Sequence, residues 1–342
     1  MANSQNSFLK ILAVNLVVAL LTSLTVSLYI SSKIDLAPTA SGLFVKQPAK
    51  LDLEAFQRDL GRLTVRIYTN KNTGLPRVYK DEDIIAFGAA ITADGWIIMP
   101  TTSQPASGLI ILVEGNRLFT VDKLVNDSAS GFSFAKILAN DLAVANLART
   151  ANLGDQLITL GLNARTITLR SLATLKSKTI TFSSETYPYL WEVDQTAPGA
   201  IFNQNKELVG LVVSDPSKVI PIKAIADRLN RVLFSTNTKP LLGVNYVDLA
   251  RFPTDITGTK VIRSGGALLT DTITQPAVLK NSPAEKAGLK AGEIIVRIND
   301  SDLTLKNNLT QYILSLPAGE EVELTVLAKD KKERLVKVKL GS

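Results

Sequence analysis

Ser133 and Lys136 are the residues whose types and spacing come nearest to a hydrolytic pair in this 342-residue chain. A desolvated lysine with a lowered pKa can accept the proton of a nucleophilic serine. Positions three apart on a β-strand, however, face opposite sides of the sheet. The spacing therefore favours an unrelated serine and lysine over a catalytic pair.

The chain contains no histidine and no cysteine. Imidazole and thiol groups supply the base or nucleophile of Ser-His-Asp and Cys-His sites, and they provide most structural zinc ligands. None of these sites can be assembled from this chain alone. Asn299–Asp302 resembles part of a calcium loop, but Gln311 stands where that loop places its bidentate glutamate. We therefore predict no metal site and no cofactor.

The formal net charge of +7 is spread along the whole chain. No segment combines clustered lysine and arginine with interleaved aromatic residues, the pattern typical of proteins that follow nucleic-acid phosphates. We therefore predict no nucleic-acid partner.

An uncharged, mostly aliphatic run extends from Ile11 to Ile30, with a lysine on each side. At about 1.5 Å per residue, a helix of this length spans the roughly 30 Å hydrocarbon core of a bilayer. A cleaved signal peptide is the alternative, but small residues suited to cleavage come only at Ala37–Ala40. We predict a single-pass anchor over residues 1–33 and a tether over 34–50, and the flanking charges leave the orientation open.

Short β-branched runs bounded by turns follow one another from Leu63 to Ser214, a pattern typical of a sandwich or barrel. Thr179–Phe182 is one of these predicted strands. Apolar residues three and four apart then predict an amphipathic helix at Lys223–Leu233. A linker is expected at Ser235–Lys239.

The chain from Leu241 onward mixes strands with two short helices. At Ser282–Glu285, serine stands at the N-cap, proline at the first helical position and glutamate three residues after the cap. A second helix is predicted at Leu305–Leu316, and the strands Ile294–Ile298, Val322–Leu327 and Arg334–Leu340 complete a compact α+β module.

These segments, in this order, resemble the HtrA-type family, which joins a membrane anchor, a trypsin-like double β-barrel and a PDZ domain. Asn281–Ile295 is similar to the family stretch S-P-A-x-x-A-G-L-x-x-G-D-x-I, and Leu241–Val244 to its carboxylate-binding loop. The resemblance implies a mainly β fold with a degenerate double barrel over residues 51–238 and an α+β PDZ domain over 239–342.

The barrel part is similar to the family at Thr92–Ile98, which matches the strand-turn-strand S-x-D-G-Y-I-L before the catalytic histidine. On this alignment Thr102, Ser133 and Ala197 stand at the histidine, aspartate and serine positions of the triad. None of them can act as base, orienting acid or nucleophile, respectively. The resemblance therefore implies a protease fold without protease activity.

Two details of this alignment bear on the catalytic machinery. Asp141–Val144 fits the letters of the family's aspartate segment better than Ser133–Ile137, but it stands too close to Leu153–Asp155, another family-like stretch. The nucleophile segment matches at Gln195–Ile201, where Pro198 constrains the turn that would form the oxyanion hole.

Peptide binding is the function that the resemblance supports. It implies that Leu242, Gly243 and Val244 form the carboxylate loop and the adjoining strand of a groove to which an extended peptide adds a strand. Leu309 and Ile313, four apart on the last helix, either line this groove or belong to the core.

We therefore expect a membrane-anchored pseudoprotease of the cell envelope that binds peptide or unfolded-protein C-termini as a scaffold or regulator. The resemblance implies a homotrimer and a soluble part outside the cytoplasm. Two alternatives stay open. One is an active serine-type endopeptidase with atypical residues, and the other is a structural envelope protein whose groove is unused.

Overall fold

The structure is a computed structural model, and it describes residues 52–70, 78–148, 151–174, 180–195, 198–234, 239–252, 254–255, 262–263, 265–305, 307–330 and 332–342. The predicted anchor and tether lie outside this part of the chain. Among the described residues, no helix is both long and apolar enough to cross a membrane.

The first barrel follows α1 (Leu53–Gly61). Six antiparallel strands close in the order β1-β2-β3-β6-β5-β4. Their bounds are β1 Thr64–Thr69, β2 Ile84–Ala90, β3 Trp96–Pro100, β4 Leu109–Val113, β5 Arg117–Asp127 and β6 Phe132–Ile137.

Strand β3 shows why this segment is apolar at every position. Ile97 and Met99 pack into the core of the first barrel, whereas Trp96 and Ile98 belong to a second, larger apolar cluster. Alternate side chains of a strand face opposite sides, so a strand buried on both faces needs a continuous apolar run. Strand β3 thereby holds the chain that follows it, including Thr102, at the edge of the barrel.

The second barrel closes in the order β10-β13-β12-β11-β7-β8. The strands of this part of the chain are β7 Gln156–Leu160, β8 Ala164–Thr174, β9 Thr181–Ser183, β10 Tyr189–Val193, β11 Ala200–Phe202, β12 Leu208–Val212 and β13 Lys218–Pro221. Strand β9 is absent from the barrel order, because it pairs elsewhere.

The helix predicted at Lys223–Leu233 is shorter than its periodicity indicates. Two 3₁₀ turns, at Ile222–Ala224 and Ala226–Arg228, precede α2 (Leu229–Phe234). They are separated by Ile225, whose φ of −130° and ψ of −21° lie outside the helical region. Ile225 is fully buried, so tertiary packing overrides the local helical pattern here.

The C-terminal module contains a sheet in the order β21-β20-β18-β17-β14-β9, with β19 paired to β18. Ser282 caps α3 as predicted, since its Oγ accepts the Glu285 N–H at 3.1 Å. The bounds are β14 Asn245–Asp248, β15 Thr254–Asp255, β16 Ile262–Arg263, β17 Ala267–Leu269, α3 Pro283–Lys286, β18 Ile294–Ile298, β19 Ser301–Asp302, α4 Leu309–Ser315, β20 Glu321–Leu327 and β21 Glu333–Lys339.

The prediction of a barrel strand at Thr179–Phe182 is corrected by this sheet. The strand exists as β9, but it pairs antiparallel with β14, placing Ser183 opposite Asn245 and Phe182 opposite Tyr246. A β-branched and aromatic run predicts a strand without naming its partner. A segment that leaves the second barrel thus becomes the edge strand of the C-terminal sheet.

Candidate functional site

A cleft of about 370 Å³ lies between the two barrels. Its lining comes from the end of β1, β2, the chain at and after β3, the turn before β11 and the chain at and after the end of β12. Among the residues that the structure describes, this lining includes no aspartate, glutamate, lysine or arginine, and its side-chain polar groups are the hydroxyls of five residues and one amide: Thr69, Thr101, Thr102, Ser103, Ser214 and Gln104. This lining can contact a polypeptide, but it offers no group that titrates near neutral pH.

The three positions predicted to replace a triad are found in different surroundings. Thr102 lines the cleft, where its Oγ1 accepts the Gln104 N–H at 3.1 Å. Ser133 is fully buried and donates from Oγ to Asn126 Oδ1 at 2.6 Å. Ala197 lies outside the described residues, although the adjacent Pro198 is described and lines the cleft.

Ser133 and Lys136 do not meet. Lys136 Nζ forms an ion pair with Asp94 Oδ2 at 2.6 Å, and this hydrogen bond holds the pKa of the Asp94 carboxyl below its usual value. Both side chains thus have other partners, Asn126 for Ser133 and Asp94 for Lys136. The arrangement agrees with the spacing argument against a Ser-Lys pair.

The predicted carboxylate loop does bind a carboxylate, and the carboxylate belongs to this chain. Glu185 Oε1 accepts the N–H of Leu242 at 3.1 Å and that of Gly243 at 2.8 Å. The next N–H, of Val244, donates to Ser184 Oγ at 3.1 Å, and Ser184 N–H donates back to Val244 O at 3.0 Å. Three successive N–H groups therefore have partners in the segment that follows β9.

Helix α4 contacts the end of β9 through a residue that the sequence analysis did not single out. Thr310 is fully buried, and its Oγ1 donates to Ser183 O at 2.8 Å. Its single hydroxyl proton is used there, so the Tyr246 hydroxyl donates to Thr310 Oγ1 across 2.9 Å. Leu309 and Ile313, predicted as groove or core residues, are both buried in the large apolar cluster that also contains Leu242 and Val244.

Three residues of this site were missed by sequence reasoning: Ser184, Glu185 and Thr310. A polar Ser-Ser-Glu run after a strand is also what an ordinary turn looks like. Glu185 is separated from Gly243 by 58 positions, and only the fold brings them together. The available signal was weak, namely a threonine one residue after Leu309 on the helix predicted to flank the groove.

The second barrel and the C-terminal module also contact each other beside the groove. The Tyr189 hydroxyl donates to the Asp248 carboxylate, and the Arg251 guanidinium lies over the Tyr189 ring at 5.2 Å. Burial raises the pKa of the Asp248 carboxyl, and the hydrogen bond from Tyr189 offsets part of this rise. These contacts hold β14 against the second barrel.

Comparisons with known proteins agree with this architecture. Residues 240–340 match the PDZ domain family. The structure of an HtrA-type protease, AlgW with decapeptide, superposes with a TM-score of 0.57 at 15% identity, over 82% of this chain and 95% of that one. The chain thus shares the fold of an HtrA-type protease and carries a PDZ domain.

Curated relatives that match parts of this chain are named as periplasmic proteases. A "probable periplasmic serine endoprotease DegP-like" of Hahella chejuensis is 24% identical over 71% of this chain and 54% of its own length. A "probable periplasmic serine protease do/HhoA-like" of Haemophilus influenzae is 32% identical over 42% of this chain and 31% of its own length. The chain thus spans about half the length of the first relative and about a third of the second.

Proposed function

We propose that this protein is a non-cleaving HtrA-like protein that recognises polypeptide C-termini through its PDZ domain. The observation that carries the proposal is the described part of the inter-barrel cleft's lining, which contains no acid and no amine, in a chain without histidine. A hydroxyl in such a cleft has no base to accept its proton, so it is a poor nucleophile at neutral pH.

The peptide-binding part of the proposal is supported by the PDZ match and by the carboxylate held on Leu242 and Gly243. A PDZ domain takes an extended peptide as an added strand and captures its terminal carboxylate on backbone N–H groups. The site thus has the donors that this mode of recognition requires.

Location and assembly are further parts of the proposal. The relatives are named as periplasmic, and the aliphatic run at Ile11–Ile30 suits a single-pass anchor. We place the barrels and PDZ domain in the cell envelope on the outer side of that membrane. A homotrimer, as implied by the family resemblance, would present several peptide grooves and act as a scaffold or regulator.

An active endopeptidase with atypical residues is the competing function, and a cleavage assay separates the two. We expect the purified chain to release no fragments from an unfolded, casein-like substrate at any protein concentration. The matched control is Thr102→Ala, which removes a cleft hydroxyl and should likewise release no fragments from the substrate. Cleavage that co-purifies with the wild-type chain and falls at least tenfold in Thr102→Ala would overturn the proposal.

A further inference from the structure

The PDZ groove of this chain already contains an extended peptide, and that peptide is the segment Thr181–Glu185, here called the self-ligand segment. Its strand β9 is added antiparallel to β14 at the edge of the sheet. Strand addition at this edge is the way a PDZ domain binds a peptide.

The end of the self-ligand segment reproduces the polar contacts of a peptide C-terminus. Ser184 stands where the last residue of a ligand would be, since its N–H and the Val244 carbonyl are joined by a 3.0 Å hydrogen bond. The Glu185 side chain then bends its carboxylate onto the N–H groups of Leu242 and Gly243. A side-chain carboxylate thus takes the role of a terminal one.

The conformation of Glu185 is held from within the segment. Its Oε2 accepts the Ser183 hydroxyl at 2.7 Å, its Oε1 accepts the Ser184 hydroxyl, and its N–H donates to Ser183 Oγ at 3.2 Å. Glu185 is only 8% exposed. A buried carboxylate needs such donors, and four of them converge on this one.

The side chain two residues before Ser184 fills an aromatic site. The ring of Phe182 lies 5.5 Å from that of Tyr189, 6.0 Å from that of Tyr246 and 6.2 Å from that of Phe252, measured between centroids. Phe182 is 7% exposed. Aromatic pairs at these separations add to the stability gained from burial.

Removal of the self-ligand segment would leave three N–H groups, those of Leu242, Gly243 and Val244, without these partners. Buried donors without acceptors are costly, so the emptied loop calls for another carboxylate. From these contacts, we infer that the self-ligand segment is an intramolecular competitor of external ligands. Those ligands are peptides with a free C-terminal carboxylate and an aromatic residue two positions before the last one. This inference rests on the proposed peptide-binding function.

The first test measures binding of a fluorescein-labelled peptide that ends in Thr-Phe-Ser-Ser with a free carboxylate. In Glu185→Ala the self-ligand segment loses its carboxylate, and we expect the dissociation constant to fall about tenfold or more relative to the wild type. That change corresponds to a groove that is free for less than about a tenth of the time. Glu114→Ala, which removes an exposed carboxylate of the first barrel, should bind like the wild type, and the C-terminally amidated peptide should not bind.

A second variant keeps the self-ligand segment in place covalently. Ser183 and Asn245 face each other across the two strands, and the Asn245 N–H and C=O bond on the other side, to Ala277 and Thr270. Such non-hydrogen-bonded pairs have Cα atoms about 4.5 Å apart, which a disulfide can bridge. The chain has no other cysteine, so S183C/N245C forms one defined bond. We expect the oxidised form to lose peptide binding and the reduced form to regain it.

Two results would overturn the inference, and they are distinguishable. If the wild type, Glu185→Ala and oxidised S183C/N245C bind the peptide equally, the self-ligand segment does not compete, while peptide binding itself stands. If none of them binds, although hydrogen exchange at Leu242 and Gly243 accelerates in Glu185→Ala, the groove opens but accepts no external terminus. The proposed function then fails together with the competition.

Discussion

Replacement of Arg228 by methionine is expected to lower the free energy of unfolding by about 3–5 kcal/mol, because it leaves a buried carboxylate without its counter-ion. The Arg228 guanidinium forms a two-pronged pair with Asp127, in which Nη1 lies 3.0 Å from Oδ1 and Nη2 contacts Oδ2. Both side chains are about 95% buried. The pair joins the end of β5 to the 3₁₀ turn before α2, so its loss also loosens the contact between these elements.

Urea unfolding of Arg228→Met measures this effect, and Arg117→Met is the matched control. Arg117 pairs with Asp141 at 3.3 Å on the surface, where an ion pair contributes about 1 kcal/mol or less. The double variant Asp127→Asn/Arg228→Met should recover much of the loss, since no charge then stays buried and unpaired. If Arg228→Met and Arg117→Met lower the free energy of unfolding by equally small amounts, the buried pair stabilises the protein no more than the surface pair does.

Replacement of Gly243 by alanine is expected to destabilise the PDZ domain by about 3 kcal/mol and to abolish carboxylate capture. Gly243 has φ +84°, and an added Cβ would lie 2.3 Å from Ser282 Cβ. The left-handed backbone alone costs about 1–2 kcal/mol for a residue with a side chain, and the clash with the cap of α3 adds to it.

Two further variants separate strain from clash. Gly319 has φ +87° with no atom within 4 Å of an added Cβ, so Gly319→Ala should show the backbone cost alone. Ser282→Gly in the Gly243→Ala background removes the clashing Cβ at a capping cost of only a few tenths of a kcal/mol, and it should restore part of the stability. If Gly243→Ala is no worse than Gly319→Ala in urea unfolding, the contact with Ser282 is unimportant.

Local signals in the sequence predicted the PDZ part of the fold well. The cap at Ser282 and the proline after it act within a few residues of each other, whereas the last helix begins at Leu309 and not at the predicted Leu305. The helix over Lys223–Leu233 was wrong in length because burial of Ile225 depends on distant elements. Such tertiary packing can interrupt a helix even where the apolar residues are spaced as in a helix.

The occupant of the groove was beyond reach of the sequence. Strand propensity at Thr179–Phe182 predicted a strand, but propensity does not say which strand it pairs with, and the pairing with β14 depends on the whole fold. The role of Glu185 likewise depends on a contact between residues 58 positions apart. By contrast, the absence of histidine can be read from the sequence directly, because it holds for whatever fold the chain adopts.

The central claim, a protease fold without a reactive nucleophile, is tested most directly by a serine-directed phosphonate and the intact mass of the protein. Such reagents form a covalent bond only with an activated hydroxyl. We predict no mass increase after prolonged incubation of the native chain. A single stoichiometric adduct on one of the cleft hydroxyls, such as Thr102, Ser103 or Ser214, would contradict the claim.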